Sequence, residues 1–184
     1  LLGANGCGKT SVFDVIRRLQ DFIIGASRIH DVFPASDLTR WQTGKLQRFE
    51  LELAADNDSF TYQLLVEHDK DRPQMRVQEE CLDLNGKPLF SSREGMAQLY
   101  RDNYSKGPEY PINWSLSGVG ALHERPDNSN LTRFKRELRK LIIVRPMPAM
   151  MKCESREEQK RLAPLMENFV SWYRFLALEH MGAM

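Results

Sequence analysis

The first ten residues constrain this chain more than any others. Leu1-Leu2-Gly3-Ala4-Asn5-Gly6-Cys7-Gly8-Lys9-Thr10 sets Gly3, Gly8, Lys9 and Thr10 at the fixed places of G-x-x-x-x-G-K-[ST], the phosphate-binding P-loop. Glycines at 3, 6 and 8 let the backbone turn so that successive N–H groups converge on a polyphosphate. Lys9 brings a positive charge to the β- and γ-phosphates, and the Thr10 hydroxyl suits Mg²⁺. Such a loop works between a buried strand and a helix whose N-terminal partial charge faces the anion. Leu1 and Leu2 read as the end of that strand. From Lys9 to Ile24, the apolar Val12, Val15, Ile16, Leu19 and Ile23 recur at helical spacing, and Gly25 offers a stop. The candidate binding residues are therefore Gly3, Ala4, Asn5, Gly6, Cys7, Gly8, Lys9, Thr10 and Ser11, with Thr10 as the Mg²⁺ ligand. Cys7 needs to supply only its backbone N–H.

The stretch from Gly3 to Asp14 resembles the G-x-N-G-x-G-K-[ST]-[SN]-x-x-[DE] form of the ATP-binding-cassette superfamily, with Asn5 and Asp14 carrying the likeness. Within it, the resemblance points to the soluble branch: RecF-like and chromosome-maintenance ATPases, and bacterial ATPases related to the overcoming-lysogenization-defect (OLD) proteins. Transporter cassettes share the loop, so the loop by itself does not choose the branch. The resemblance implies ATP and Mg²⁺ as ligands, a homodimer closed through two ATP sites, and work in nucleic-acid maintenance or defence.

Hydrolysis needs more than a cradle: an acid on Mg²⁺ and a group that orients water. In the resembled family these come from an apolar strand ending in Asp-Glu and from a later His. Neither is visible here. Leu141–Val144 is apolar, but Arg145-Pro146 follows it. Leu116-Ser117-Gly118-Val119-Gly120 is superficially like the family's Leu-Ser-Gly-Gly signature, yet it comes too early and reads as a Gly-rich turn. No family glutamine can be assigned among Gln42, Gln47 and Gln63. Catalytic residues are thus expected downstream of this chain. The sequence is expected to be a fragment, cut inside its first strand and ahead of the catalytic parts, and inactive alone. The rivals are a P-loop kinase or GTPase, and a nucleotide-binding module without hydrolysis.

The strand order supports the cassette reading. In Leu46–Ala55, Phe49, Leu51 and Leu53 alternate with Arg48, Glu50 and Glu52. In Phe60–Val66, Phe60, Tyr62, Leu64 and Val66 alternate with Thr61, Gln63 and Leu65. Asp56-Asn57-Asp58 is turn chemistry. Met75–Leu84 reads as a third strand, and Asn85-Gly86 is a two-residue hairpin signal leading to Pro88–Phe90. Gly95–Arg101 is open between strand and helix. Asn103–Pro111, with Gly107, Pro108 and Pro111, reads as loop. Asp127, Asn128 and Ser129 offer caps for a helix carrying Leu131, Phe134, Leu138, Leu141 and Ile142, which Pro146 and Pro148 end. Glu154–Leu162 reads as helical, and Pro164 suits the first position of a helix with Leu165, Phe169, Trp172, Tyr173 and Leu176 on one stripe. The fold class expected is α/β, mixed α+β over these residues: a P-loop strand and helix (1–25), an antiparallel β-meander subdomain (46–114), then helices (127–184), in one incomplete domain. A RecA-type core would alternate strands and helices from the start.

With 184 residues and a net charge of +1, the chain has no global electrostatic pull toward nucleic acid or membrane. Cys7, Cys81 and Cys153 form no C-x-x-C pair, which suits reduced thiols in the cytoplasm better than a disulfide frame or a zinc site. No apolar run is long enough to span a membrane. His30, His68, His123 and His180 lack metal spacing. Asp83-Leu84-Asn85-Gly86 fits a GTPase D-x-x-G, but the Asn-Gly turn explains it. Arg133, Lys135, Arg136, Arg139 and Lys140 could follow a nucleic-acid backbone. The plainer reading, and the preferred one, is a solvated helix face.

Overall fold

The computed structural model describes residues 9–38, 45–68, 75–154 and 157–181. The chain divides into two compact units, one running to Lys140 and the other from Leu141. The first is mixed α+β. Its strands β1 (Leu46–Ala55), β2 (Asp58–His68), β3 (Met75–Leu84), β4 (Lys87–Arg93), β5 (Met96–Tyr100) and β6 (Lys106–Pro111) pair in sequence order as one antiparallel sheet. Helices α1 (Lys9–Ile24), α2 (Ile29–Val32), α3 (Gly118–Ala121) and α4 (Ser129–Lys140) complete it. The strand expected at Leu1 and Leu2 lies outside the described residues.

Local chemistry accounts for the meander. Asn85 and Gly86 both take positive φ, 51° and 75°, so β3 turns into β4 through the primed turn that matches strand twist. Glu94 and Gly95 repeat the device at 49° and 82°, which makes Gly95 the turn and Met96–Tyr100 a strand. Period-two alternation then puts one apolar row inward. Phe60, Tyr62, Leu64 and Val66 of β2 are buried, as are Val77, Leu82 and Leu84 of β3 and Leu89 and Phe90 of β4. The ring of Phe134, on α4, lies 5.6 Å from that of Phe60 and 5.9 Å from that of Tyr62. Phe33, just after α2, lies 6.3 Å from Phe22 of α1 and 4.4 Å from Phe49 of β1. Each such fully buried side chain contributes about 1.5–3 kcal/mol over an exposed one.

Four expectations are corrected. Lys106–Pro111 is β6 and not loop, because among the described residues it is an edge strand paired with β5 alone, where prolines lacking an N–H are tolerated. The cap of α4 comes from Asp102, across the chain, and not from the side chains of Asp127, Asn128 or Ser129. Its Oδ2 accepts from Ser129 N (2.8 Å) and Ser129 Oγ (2.6 Å), and its Oδ1 from Asn130 N (2.9 Å). Asn128 is buried and staples the preceding loop, accepting from Arg125 N and donating to the His123 carbonyl. α4 ends at Lys140, where its buried stripe Leu131, Phe134, Leu138 runs out and two basic residues complement its C-terminus, so Leu141 and Ile142 lie beyond the helix.

The fourth correction concerns the second unit. Residues 157–162 are not helical, and the helix there, α5 (Phe169–Met181), begins five residues after Pro164. Met166 has φ of 60°, which interrupts any helix running on from Pro164. Asn168 holds the segment instead: its Oδ1 accepts from Ala163 N at 2.7 Å and its Nδ2 donates to the Arg161 carbonyl at 2.8 Å. Such side-chain bonds compete with helical ones for the same backbone groups.

Candidate functional site

The candidate site is the N-terminus of α1 together with the residues before it in the sequence. Gly3, Ala4, Asn5, Gly6, Cys7 and Gly8 lie outside the described residues. Lys9 is the first residue of α1, and Thr10 and Ser11 are exposed in its first turn. That turn contains no acid, so nothing within it cancels the partial positive charge of the helix start. Val12 and Phe13 are also exposed. The burial of α1 is concentrated in its second half, at Leu19, Phe22 and Ile23. There Gln20 Nε2 donates to the Leu138 carbonyl at 2.7 Å, and Arg18 pairs with Asp37. α1 is thus anchored at its C-terminal end and presents its N-terminal end.

The basic helix α4 is largely committed within the chain. Arg133 bonds Asp58 (2.5 Å), Asp56 (3.2 Å) and the Ala55 carbonyl (3.0 Å). Lys135 Nζ donates to the carbonyls of Gly120 and Leu122, at 2.9 and 2.8 Å, at the end of α3. Burial, then the nearby Arg139, lowers its pKa. Arg136 and Lys140 face Glu137 at 3.9 and 2.7 Å. Arg133 and Lys135 are half-buried in these contacts, while Arg136, Arg139 and Lys140 are exposed.

The other candidates do not assemble. Among the described residues no group of three or more His, Cys, Asp and Glu side chains could hold a metal ion. Gln42 lies outside the described residues, Gln47 Oε1 meets His68 Nε2 at 2.9 Å, and Gln63 is exposed on β2. Among the described residues no helix is long and apolar enough to cross a membrane. In the second unit a hollow of about 280 Å³ is lined by Lys152, Glu154, Gln159, Glu167 and Asn168, a mixture of both charge signs.

What the sequence reasoning missed is Glu80. It is fully buried on the inner face of β3. Its Oε1 accepts from the hydroxyls of Tyr62 (2.8 Å) and Ser117 (2.6 Å), and its Oε2 accepts from Gly118 N (2.6 Å). Ser117 is also the N-cap of α3, accepting from Gly120 N at 2.8 Å. The Leu116–Gly120 stretch is therefore the start of a short helix clasped by a buried carboxyl. Its glycines have steric reasons: a Cβ at Gly118 would meet Phe90 at 2.4 Å, and one at Gly120 the Ile23 carbonyl oxygen at 2.5 Å. Counting back by twos from Leu84 and Leu82 puts position 80 inward, and that was the available signal.

Comparison of the chain with models of protein families, with curated proteins and with solved structures returned no match.

Proposed function

We propose that this chain binds ATP with Mg²⁺ through Gly3–Thr10, as part of a RecF/OLD-like cassette ATPase. One observation carries the reading: the Lys9 of G-x-x-x-x-G-K-[ST] coincides with the first residue of α1, whose opening turn is exposed and free of acids. The antiparallel meander that follows α1 fits the layout of the resembled family. Dimerisation through the ATP sites and a task on nucleic acid or in defence belong to the same proposal. The groups that position Mg²⁺ and water for hydrolysis are not assigned to residues of this chain, so binding without steady phosphate release is the expected behaviour.

Calorimetry of ATP–Mg²⁺ binding to the parent and to Lys9→Ala tests it. The variant should keep its circular dichroism spectrum and lose most of its affinity, because the charge on the β- and γ-phosphates is gone. Equal affinities would end the reading. Steady phosphate release that Lys9→Ala abolishes would place a catalytic acid inside the chain, and Glu50, Glu52 and Glu124 would be the first to substitute.

A further inference from the structure

The two edges of the sheet are built differently. β6 has six residues and carries Pro108 and Pro111, which blunt it against pairing. β1 has ten residues, without proline or glycine, and its register with β2 runs from Leu46↔Glu67 to Ala55↔Asp58 without a bulge. Among the described residues no strand pairs with its outer edge. The bond from His68 N to the Lys45 carbonyl fixes the phase of the ladder, so the odd-numbered residues of β1 exchange bonds with β2. Leu46, Arg48, Glu50, Glu52 and Ala54 therefore direct their N–H and C=O groups outward.

The apolar row also stops short at this edge. Phe60, Tyr62 and Leu64 of β2 are at most 1 % exposed, yet the residues opposite them, Leu53, Leu51 and Phe49, are only half-buried. The charges on the edge are self-complementary. When β1 meets a copy of itself antiparallel about Phe49, Arg48 falls opposite Glu50 of the partner subunit, and the same pair recurs across the two-fold axis. Phe49 then faces its own counterpart, in the closer, non-hydrogen-bonded kind of pair. No like charges fall directly opposite in this register.

We infer that β1 is the docking edge for a second copy of this chain, joining two six-stranded sheets edge to edge through an isologous strand pair. This contact stands apart from any dimer closed through nucleotide sites. It needs no ATP and does not involve Lys9.

Sedimentation equilibrium of the 184-residue chain without nucleotide tests the inference, with circular dichroism and thermal melting to report the fold. The parent should form dimers and no larger species, and so should Lys9→Ala. Glu50→Pro should be monomeric with an intact fold, because the N–H it removes points away from β2. Arg48→Glu and Glu50→Arg should each raise the dissociation constant at least about tenfold, since each sets like charges opposite one another. The double exchange Arg48→Glu with Glu50→Arg should restore dimerisation, and this arm holds even where the proline variant fails to fold. A parent that stays monomeric, a dimer that appears only with ATP, a folded Glu50→Pro that still dimerises, or a double exchange no better than its single components would each overturn it.

Discussion

The Tyr62 hydroxyl donates to Glu80 Oε1 at 2.8 Å, and both residues are wholly shielded from solvent. Burial raises the Glu80 pKa above its ordinary 4.5. The hydrogen bonds from Ser117, Tyr62, Gly118 and Val119 pull it back down without cancelling that rise. Burial, then the neighbouring Glu80, likewise keeps the Tyr62 hydroxyl protonated well past its ordinary range. An amide in its place keeps one acceptor for Gly118 N but turns an NH2 toward the Tyr62 and Ser117 hydroxyls, which must then accept where they now donate. Glu80→Gln should cost about 1–3 kcal/mol, read from urea unfolding. Because the folded-state pKa is raised, the folded protein holds more protons than the unfolded one. This contribution is fully present below about pH 4.5 and is lost as pH rises through the folded-state value. The stability gap between parent and Glu80→Gln should therefore narrow with rising pH. A gap that widens would mean that the charged form is the one the cluster favours.

Asp102 ties the turn after β5 to the first turn of α4. Partial burial pushes its pKa up, but the donors on Ser129 and Asn130 outweigh this and leave it below 3.8. Asp102→Ala should destabilise the first unit by about 1 kcal/mol, the usual cost of a lost N-cap. The cap's contribution is present above pH 3.8 and fades as pH falls through the lower folded-state value. Melting temperatures of parent and variant should therefore differ at pH 7 and converge in acid. A constant difference would assign the effect to packing.

Gly118→Ala and Gly120→Ala test whether α3 is as tightly seated as its surroundings imply. The added methyl at 118 would press on the ring of buried Phe90, and that at 120 on backbone of α1. Each should cost about 1–3 kcal/mol in thermal or urea unfolding, and the Gly120 variant should be the less able to relax, since a carbonyl cannot change rotamer. Variants as stable as the parent would show that α3 moves freely against its neighbours.

Thr10→Ala concerns the proposed metal ligand. Thr10 is exposed in the first turn of α1, so its loss removes a hydroxyl and little packing. ATP binding should weaken in the presence of Mg²⁺ and change little with EDTA in its place, as measured by calorimetry. Equal losses under both conditions would remove the metal role.

Much of the first unit was legible because local rules and tertiary demands coincide there. The apolar spacing of Val12, Ile16, Leu19 and Ile23 marks α1 over the residues it occupies, and Asn85-Gly86 marks its hairpin. The alternation in β1 and β2 marks both strands. β6 was hidden because prolines read as breakers unless the strand is known to lie at an edge. Asp102 was hidden because it caps a helix 27 residues away. Glu80 is in phase with Leu82 and Leu84 but out of phase with Val77, because the irregular pairing at Leu65/Val66 leaves Gln78 as an extra residue between them, so the strand shows no single inward row. Of the proposed nucleotide site, only the loop pattern is read from the sequence, since Gly3–Gly8 lie outside the described residues.

The meander carries a consequence for synthesis. Each strand pairs with its neighbour in sequence, so the sheet can assemble hairpin by hairpin as the chain leaves the ribosome. Its inner lining arrives late: Phe134 covers Phe60 and Tyr62, and the Arg133–Asp58 bond closes across 75 residues. Between the emergence of Pro111 and that of α4, a finished sheet stands with part of its apolar face wet. That interval is when a chaperone would find most to hold.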